Sequence, residues 1–336
     1  LQYPMNKIKH PSKTLTVQEE GSGQRLDNYL SRVTKRQLPR SRIHHMIRSG
    51  EVRVNQGRCS ASTKLTAGDR VRIPPFFAKE QQKHNPHPAI VAQFFKDIIY
   101  EDNSLLAINK PSGLACHGGS GISLGLIEHL RILRPQQKFL ELAHRLDRDT
   151  SGIVLIAKKK STLIALHTLF RDHEIDKRYL AIIEGKFRNS YQRINLPLST
   201  KIHNNEKKAF IDKINGKESI TEVFLLLRGN DYSLIEAHPL SGRTHQIRIH
   251  LSTIGHPILG DKKYNPTLTT KKLLLHAHRI SFLHPLTNQT ITLSSPIPKK
   301  FIMCAKKNHL KMFTNIDHRA LLSTQQLVDM IESVRQ

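Results

Sequence analysis

The alternation of apolar and polar residues changes character several times along this chain. Residues 1–20 are polar and aperiodic and read as a flexible lead-in. From Gln24 the texture tightens: Leu26, Tyr29, Leu30 and Val33 recur at helical spacing, and a second short helix follows over Ser41 to Ser49, with Ile43, Met46 and Ile47 on its inner face. Gly50 is placed to end it. Val52-Arg53-Val54, the turn Asn55-Gln56-Gly57, a second turn at Gly68-Asp69 and the run Val71-Arg72-Ile73 predict a small ribbon, closed by Pro74-Pro75. Two helices and a ribbon over residues 21–75 make a module near the lower size limit for an independent core. Residues 76–96 carry prolines, lysines and histidines with little period and read as a linker.

A long mixed region occupies residues 97–313. Its apolar runs are strand-sized: Leu105 to Ile108, Ile153 to Ala157, Tyr179 to Ile183, Ser219 to Leu227, Ser233 to Ala237, Ile247 to Leu251 and Ile291 to Leu293. Helical patterns interrupt them at Gly125 to Arg134 and Ser161 to Arg171. Many strands with few helices predict an α+β domain rather than a doubly wound sheet. In the extension 314–336, Leu327, Met330, Ile331 and Val334 trace one amphipathic helix, expected to pack on the body.

Charge narrows the function. Lys and Arg total 53 against 27 acids, a formal +26 with pI near 10.2. Such a surface repels itself unless a polyanion relieves it, and nucleic acid is the natural polyanion, because each phosphate neutralised releases condensed counterions. Cys59, Cys116 and Cys304 are isolated and form no CxxC, which argues against a zinc site or a disulfide framework and for a reducing cytoplasm. The apolar runs fall far short of a membrane span, and Leu1 to His10 lacks the apolar core of a secretory signal. With no Trp, base stacking would fall to Tyr, Phe, His or Arg.

Two segments concentrate chemistry. His144-Arg145-Leu146-Asp147-Arg148-Asp149-Thr150-Ser151-Gly152 is a polar loop leading into an apolar strand, a common seat of catalytic groups, although Asp149, Thr150 and Ser151 also suit a plain turn. Ser241-Gly242-Arg243-Thr244-His245-Gln246-Ile247-Arg248-Ile249-His250 is read as ending in a strand, with Gln246, Arg248 and His250 on one face. An arginine fixed there would keep a desolvated loop carboxylate ionised, or would merely contact phosphate. Cys116 beside His117 is a poor hydrolase dyad, since neighbours on a strand point to opposite faces. His276-x-His278 has no third ligand in register, so no metal is expected.

The loop HRLDRDTSG resembles the signature of the pseudouridine synthases that act on large-subunit RNA. Three more blocks are similar in order: Asn109-Lys110-Pro111-Ser112-Gly113, Lys177-Arg178-Tyr179-Leu180-Ala181, and GRTHQIRIH with Gly255-His256-Pro257-Ile258. The likeness spans roughly residues 97–293. The stretch Cys116 to Ser123, with Leu140 to Gly152, most resembles the synthase C branch, whose substrate is 23S rRNA. Cys116 stands where an aliphatic residue is expected. The module over residues 21–75 is similar to an S4 RNA-binding domain.

The resemblance implies a mixed, mainly antiparallel sheet with the cleft across its middle, and uridine isomerisation without cofactor or metal by a monomer. It makes Asp147 the catalytic carboxylate, Tyr179 the residue stacked on the target base, Arg248 the partner of Asp147, and Arg145 the side chain that enters the RNA as the nucleotide leaves. The carboxylate would attack C1′, stabilise charge there or take a proton from C2′. Arg25, Arg40, Arg42, Arg48, Arg53 and Arg58 are the candidate phosphate contacts of the S4-like module. The rival readings are a non-catalytic ribosome-assembly factor and a synthase for other rRNA or tRNA uridines.

Overall fold

Leu26, Tyr29 and Leu30 of α1 (Leu26–Val33) and Ile43, Met46 and Ile47 of α2 (Arg40–Arg48) are all buried in one apolar cluster. The computed structural model describes residues 7–34, 37–79, 96–118, 124–203, 206–265 and 272–312. The chain divides into two compact units, Leu1–Asn85 and Pro86–Gln336.

In the first unit the helices lie with a three-stranded sheet in the order β2 (Lys13–Thr16), β4 (Arg70–Ile73), β3 (Arg53–Val54). The lead-in is therefore not wholly without structure. Besides β2, its residues Lys7–His10 form β1, which pairs antiparallel with β5 (Phe76–Lys79), a segment read as the start of the linker. Lys7 meets Lys79 across the whole module. Order that comes from so distant a partner leaves no local period in the sequence. His10 stacks on Phe76 at 4.6 Å between ring centroids, which seals that corner.

The second unit is built on one eleven-stranded sheet. Its main path runs β11 (Tyr191–Asn195), β14 (Ile220–Arg228), β15 (Tyr232–Pro239), β10 (Asp176–Glu184), β16 (Leu275–Leu283), β9 (Ser151–Ala157), β7 (Leu105–Lys110) and β6 (Ile98–Glu101). Off it, β8 (Glu141–Leu142) pairs with β9, β17 (Thr290–Ser294) with β16 and β18 (Lys311–Met312) with β14. A separate hairpin joins β12 (Leu198–His203) to β13 (Glu206–Ile211). Four helices complete the unit among the described residues: α3 (Leu126–Leu133), α4 (Lys160–Arg171), α5 (Gln246–Thr253) and α6 (Lys299–Lys307). The sheet is mainly antiparallel and the class α+β. Among the described residues no helix is long and apolar enough to cross a membrane. The expected helix at 327–334 lies outside the described residues.

The run Ile247 to Leu251 is not a strand. It lies in α5, where residues 246 to 251 are all buried. Alternation of isoleucine with Arg and His imitates a strand, but here the polar members also face protein. Gln246 and His250, one turn apart, both bond the start of β14 through Thr221 Oγ1, each at 3.0 Å. Arg248 is therefore released from the face assigned to all three. Strand β16, central to the sheet, was hidden for the opposite reason. His276 and His278 occupy buried positions, at 0% and 5% exposure, where an apolar residue would have marked the pattern.

Those two imidazoles are accommodated by hydroxyls and carbonyls. His276 lies 2.9 Å from Ser151 Oγ and 2.6 Å from Ser295 Oγ, and His278 lies 3.2 Å from Ser295 O. Burial pushes their pKa values down to about 3 and about 4. The unfolded chain binds these protons near pH 6.5, so their stabilisation is complete above that pH and is lost as pH falls towards 4. Each contributes a slope of up to about 1.4 kcal/mol per pH unit in that window. The unfolding temperature should drop steeply between pH 6.5 and 4.5 in a calorimetric series, and a flat profile would contradict this account.

Among the described residues, the one parallel pairing in the sheet joins β9 to β16 at Ser151 opposite His276 and Gly152 opposite Ala277. Gly152 has φ +116°, and a Cβ there would lie 2.2 Å from the Ala277 carbonyl oxygen. Both strain and collision forbid a side chain. Gly152→Ala should cost more than about 4 kcal/mol, read as loss of the cooperative thermal transition.

Candidate active site

The loop between β8 and β9 carries Asp147, and an unusual number of bonds hold it from behind. Cys116 Sγ accepts from Leu146 N at 3.2 Å and lies 3.3 Å from Leu146 O. Lys110, fully buried at the end of β7, donates its ammonium to Pro111 O, Leu114 O and Arg148 O at 2.8–3.0 Å. Burial pulls its pKa down to about 8. Ser112 Oγ donates to Asp149 O at 2.7 Å and Gly113 N to Arg148 O at 2.9 Å. The block Asn109 to Gly113 is thus the clamp on the loop. Cys116 and His117 lie in a bend rather than a strand, and the thiol is buried and committed to Leu146, which removes it as a nucleophile.

Asp147 lines a cavity of about 580 Å³, within the usual size of ligand pockets. Arg248 Nη1 donates to Asp147 Oδ2 at 3.1 Å, while Oδ1 has no hydrogen-bond partner among the described residues. The far side of the same guanidinium is held by Asp261: Nε reaches Oδ2 at 2.7 Å and Nη2 reaches Oδ1 at 2.8 Å. Burial opposes the charge on Arg248, but the bonds and charges of Asp261 and Asp147 outweigh it and raise its pKa above the ordinary value. Asp261 Oδ1 also accepts from the backbone N–H groups of Lys263 and Tyr264, at 3.0 and 3.2 Å. That positions the Tyr264 ring, 5.3 Å from the Arg248 Cζ.

Tyr179 lines the same cavity from β10. The pairing with β16 slips by one residue between Arg178 and Tyr179, a bulge of the sort that re-aims a side chain beside an active site. Burial raises the phenol pKa, and the charges of Asp147 and Cys116 add to it, so the hydroxyl keeps its proton at neutral pH. Arg145 is exposed and lines the cavity, as do Lys177 and Arg243. His144 contributes backbone support: its Nε2 accepts from Leu155 N at 3.1 Å, and its ring packs on Phe170.

Residues 104–253 match the family model described as RNA pseudouridylate synthase, and residues 24–71 match that of the S4 domain. The ribosomal large subunit pseudouridine synthase C of Pasteurella multocida is 43% identical over 302 residues, covering 86% of this chain and 92% of that protein. This chain belongs to the RNA pseudouridylate synthase family. The synthase is also 40% identical over 314 residues to ribosomal large subunit pseudouridine synthase C of Escherichia coli K12, covering 90% of the chain and 98% of that protein. Among solved structures it matches human RNA pseudouridylate synthase domain containing 4, with TM-score 0.57 and 25% identity over 67% of this chain and 97% of that one.

In the S4 unit of the synthase the six candidate arginines do not form one equivalent set. Arg25 is tied to Asp27 at 3.0 and 3.2 Å, Arg40 donates to Asn28 Oδ1 at 2.7 Å, and Arg42 lies 3.4 Å from Glu51. Arg48 is exposed at the end of α2. Arg53 and Arg58 converge on Gly50, where a methyl group would meet Arg58 Nε at 3.4 Å and Arg53 Nη2 at 3.6 Å. Sequence reasoning about the synthase missed Asp261, Tyr264 and the clamp formed by Lys110. The one available signal was chemical: a buried guanidinium has five donors, which a single loop carboxylate cannot satisfy.

Proposed function

We propose that the synthase isomerises uridines of large-subunit ribosomal RNA to pseudouridine, with Asp147 as the carboxylate that acts at the sugar. The observation that carries this reading is the division of labour between the two oxygens of Asp147: Oδ2 is held by Arg248 while Oδ1 is left open, on a residue that lines a cavity shared with Tyr179. An oriented carboxylate of this kind suits attack on C1′ or stabilisation of positive charge developing there, as in glycoside cleavage. The N1–C1′ bond breaks, C5–C1′ forms, and a proton leaves C5 while one arrives at N1. Atoms balance within the nucleotide, so the reading needs no metal or cofactor, and it takes the working enzyme as a cytoplasmic monomer.

The target base must leave its stack before any of this, at a cost of a few kcal/mol. Tyr179 supports the extruded uracil by stacking, worth roughly 1–3 kcal/mol, and exposed Arg145 occupies the vacated space. Names of the relatives supply the substrate class, and the S4 unit, with exposed Arg48 at the end of α2 and Arg53 and Arg58 beside Gly50, supplies a second RNA contact. The test is tritium release from large-subunit rRNA transcribed with 5-tritiated uridine, incubated with the purified chain. Release of stoichiometric tritium with pseudouridine recovered at discrete sites supports the reading. RNA binding without release would favour the non-catalytic assembly factor.

A further inference from the structure

His245 precedes α5 in a left-handed conformation, φ 53°, that L-residues adopt rarely. This backbone aims the imidazole in two directions at once. Its Nδ1 lies 2.8 Å from Tyr264 Oη, and its Nε2 lies 3.6 Å from Asp147 Oδ2, the oxygen that Arg248 also holds. Tyr264 Oη in turn accepts from Ala209 N at 3.1 Å and lies 3.3 Å from Ala209 O. A phenol has one proton to give. The 2.8 Å contact to Nδ1 is markedly shorter than the 3.3 Å contact to the carbonyl, so the proton goes to the imidazole. Ala209 N–H supplies the donor that the phenol oxygen then lacks. A neutral imidazole that accepts at Nδ1 carries its own hydrogen on Nε2, towards Asp147.

We infer that Tyr264 and His245 are positioning residues of the synthase: the Ala209–Tyr264–His245 chain sets one imidazole tautomer, whose Nε2–H is a second, uncharged donor to Asp147 Oδ2 and leaves Oδ1 for the nucleotide. The inference rests on the proposed role of Asp147. It also explains why the imidazole must be neutral. Asp147 and Asp261 already share one guanidinium, and a charged His245 would match the second carboxylate and blunt it. The groups facing the ring are Asp147, Arg248, Lys263, Asp261 and Tyr264. Burial outweighs the pull of Asp147, with Arg248 and Lys263 adding to it, and the His245 pKa falls to about 4. At 3.6 Å the pair is longer than a hydrogen bond, and the donor acts on Asp147 as the two close in the Michaelis complex, where catalytic contacts tighten.

The test uses the full chain with tritiated large-subunit rRNA under single-turnover conditions. His245→Leu should slow the step by about 10- to 100-fold, the range of a hydrogen bond to a charged group, with the RNA affinity unchanged. His245→Gln, which keeps an N–H donor, should recover most of that loss. Tyr264→Phe keeps the ring over Arg248 and should slow the step by about tenfold, with the acid limb of the rate profile moved to higher pH. Equal loss in His245→Leu and His245→Gln, or no loss in either, would overturn the inference even though the wild type turns over. A nitrogen-15 spectrum of histidine-labelled protein, with the His245 resonance assigned by its absence in His245→Gln, tests the tautomer without any turnover. Nε2-protonated neutral imidazole is expected at pH 7, and Nδ1-protonated or charged imidazole refutes the proposal.

Discussion

Asp147→Asn should abolish tritium release, by about four orders of magnitude or more, the scale seen when the central group of a catalytic set is removed. The substitution is nearly isosteric. Arg248 can still donate to an amide oxygen, and Asp261 still holds the other side of the guanidinium with two bonds. Asp147 is a quarter exposed, so losing its charge should barely alter the unfolding temperature. RNA affinity, measured by filter binding at fixed salt, should also be close to wild type, because no phosphate contact has been removed. Turnover within tenfold of wild type would eliminate Asp147 as the catalytic carboxylate. Loss of both turnover and RNA binding would show the residue to be a folding or docking element instead.

The second large effect is expected at a residue that does not touch the cavity floor. Asp261 is 1% exposed and takes two of the three carboxylate bonds of Arg248. Asp261→Ala leaves a buried guanidinium with one carboxylate partner and strips the acceptor from two backbone N–H groups. Removing one member of a buried pair costs about 3–5 kcal/mol, readable as a large fall in unfolding temperature. Activity should suffer separately. Freed on one side, Arg248 is expected to turn both of its forks onto Asp147 and engage Oδ1, the oxygen that the proposed mechanism reserves for the nucleotide. A fall of roughly 100-fold in single-turnover rate, about 2.7 kcal/mol in barrier height, is expected at temperatures where the variant is still folded. Asp261→Asn, which keeps one acceptor, should lie between. A variant that is less stable yet fully active would show that Asp261 supports the fold and not the geometry of Asp147.

These two residues also mark what a reader of the sequence can and cannot see. The Asp147 loop was visible because seven polar residues crowd between apolar neighbours, and the four motif blocks gave it a proposed role. Helices α1, α2, α3 and α4 were visible because each has a dry and a wet side. Helix α5 was not, since every residue from Gln246 to Leu251 is buried and its polar members find partners inside the protein. β16 was hidden by buried histidines, and β1 by the distance to its partner. Asp261 was invisible for a related reason: its role is set by an arginine thirteen residues earlier that reaches it only once α5 is formed. Arg248 itself could be named from the motif, but the two-sided grip on it could not. The S4 arginines look alike in the sequence and differ in the structure, where Arg25 is committed to an acid while Arg53 and Arg58 converge on one glycine.

The meeting of Ser151 with His276, and of Gly152 with Ala277, has a consequence for how the enzyme comes into being. Residues 125 positions apart in the chain must find one another before the end of the Asp147 loop has its place. Closing so long a loop is slow relative to the local hairpins of the sheet. A ribosome making this protein has therefore exposed the loop, the clamp and Tyr179 well before the strand that completes them. The nascent synthase can hold its basic surface ready while its chemistry waits for the arrival of Ala277.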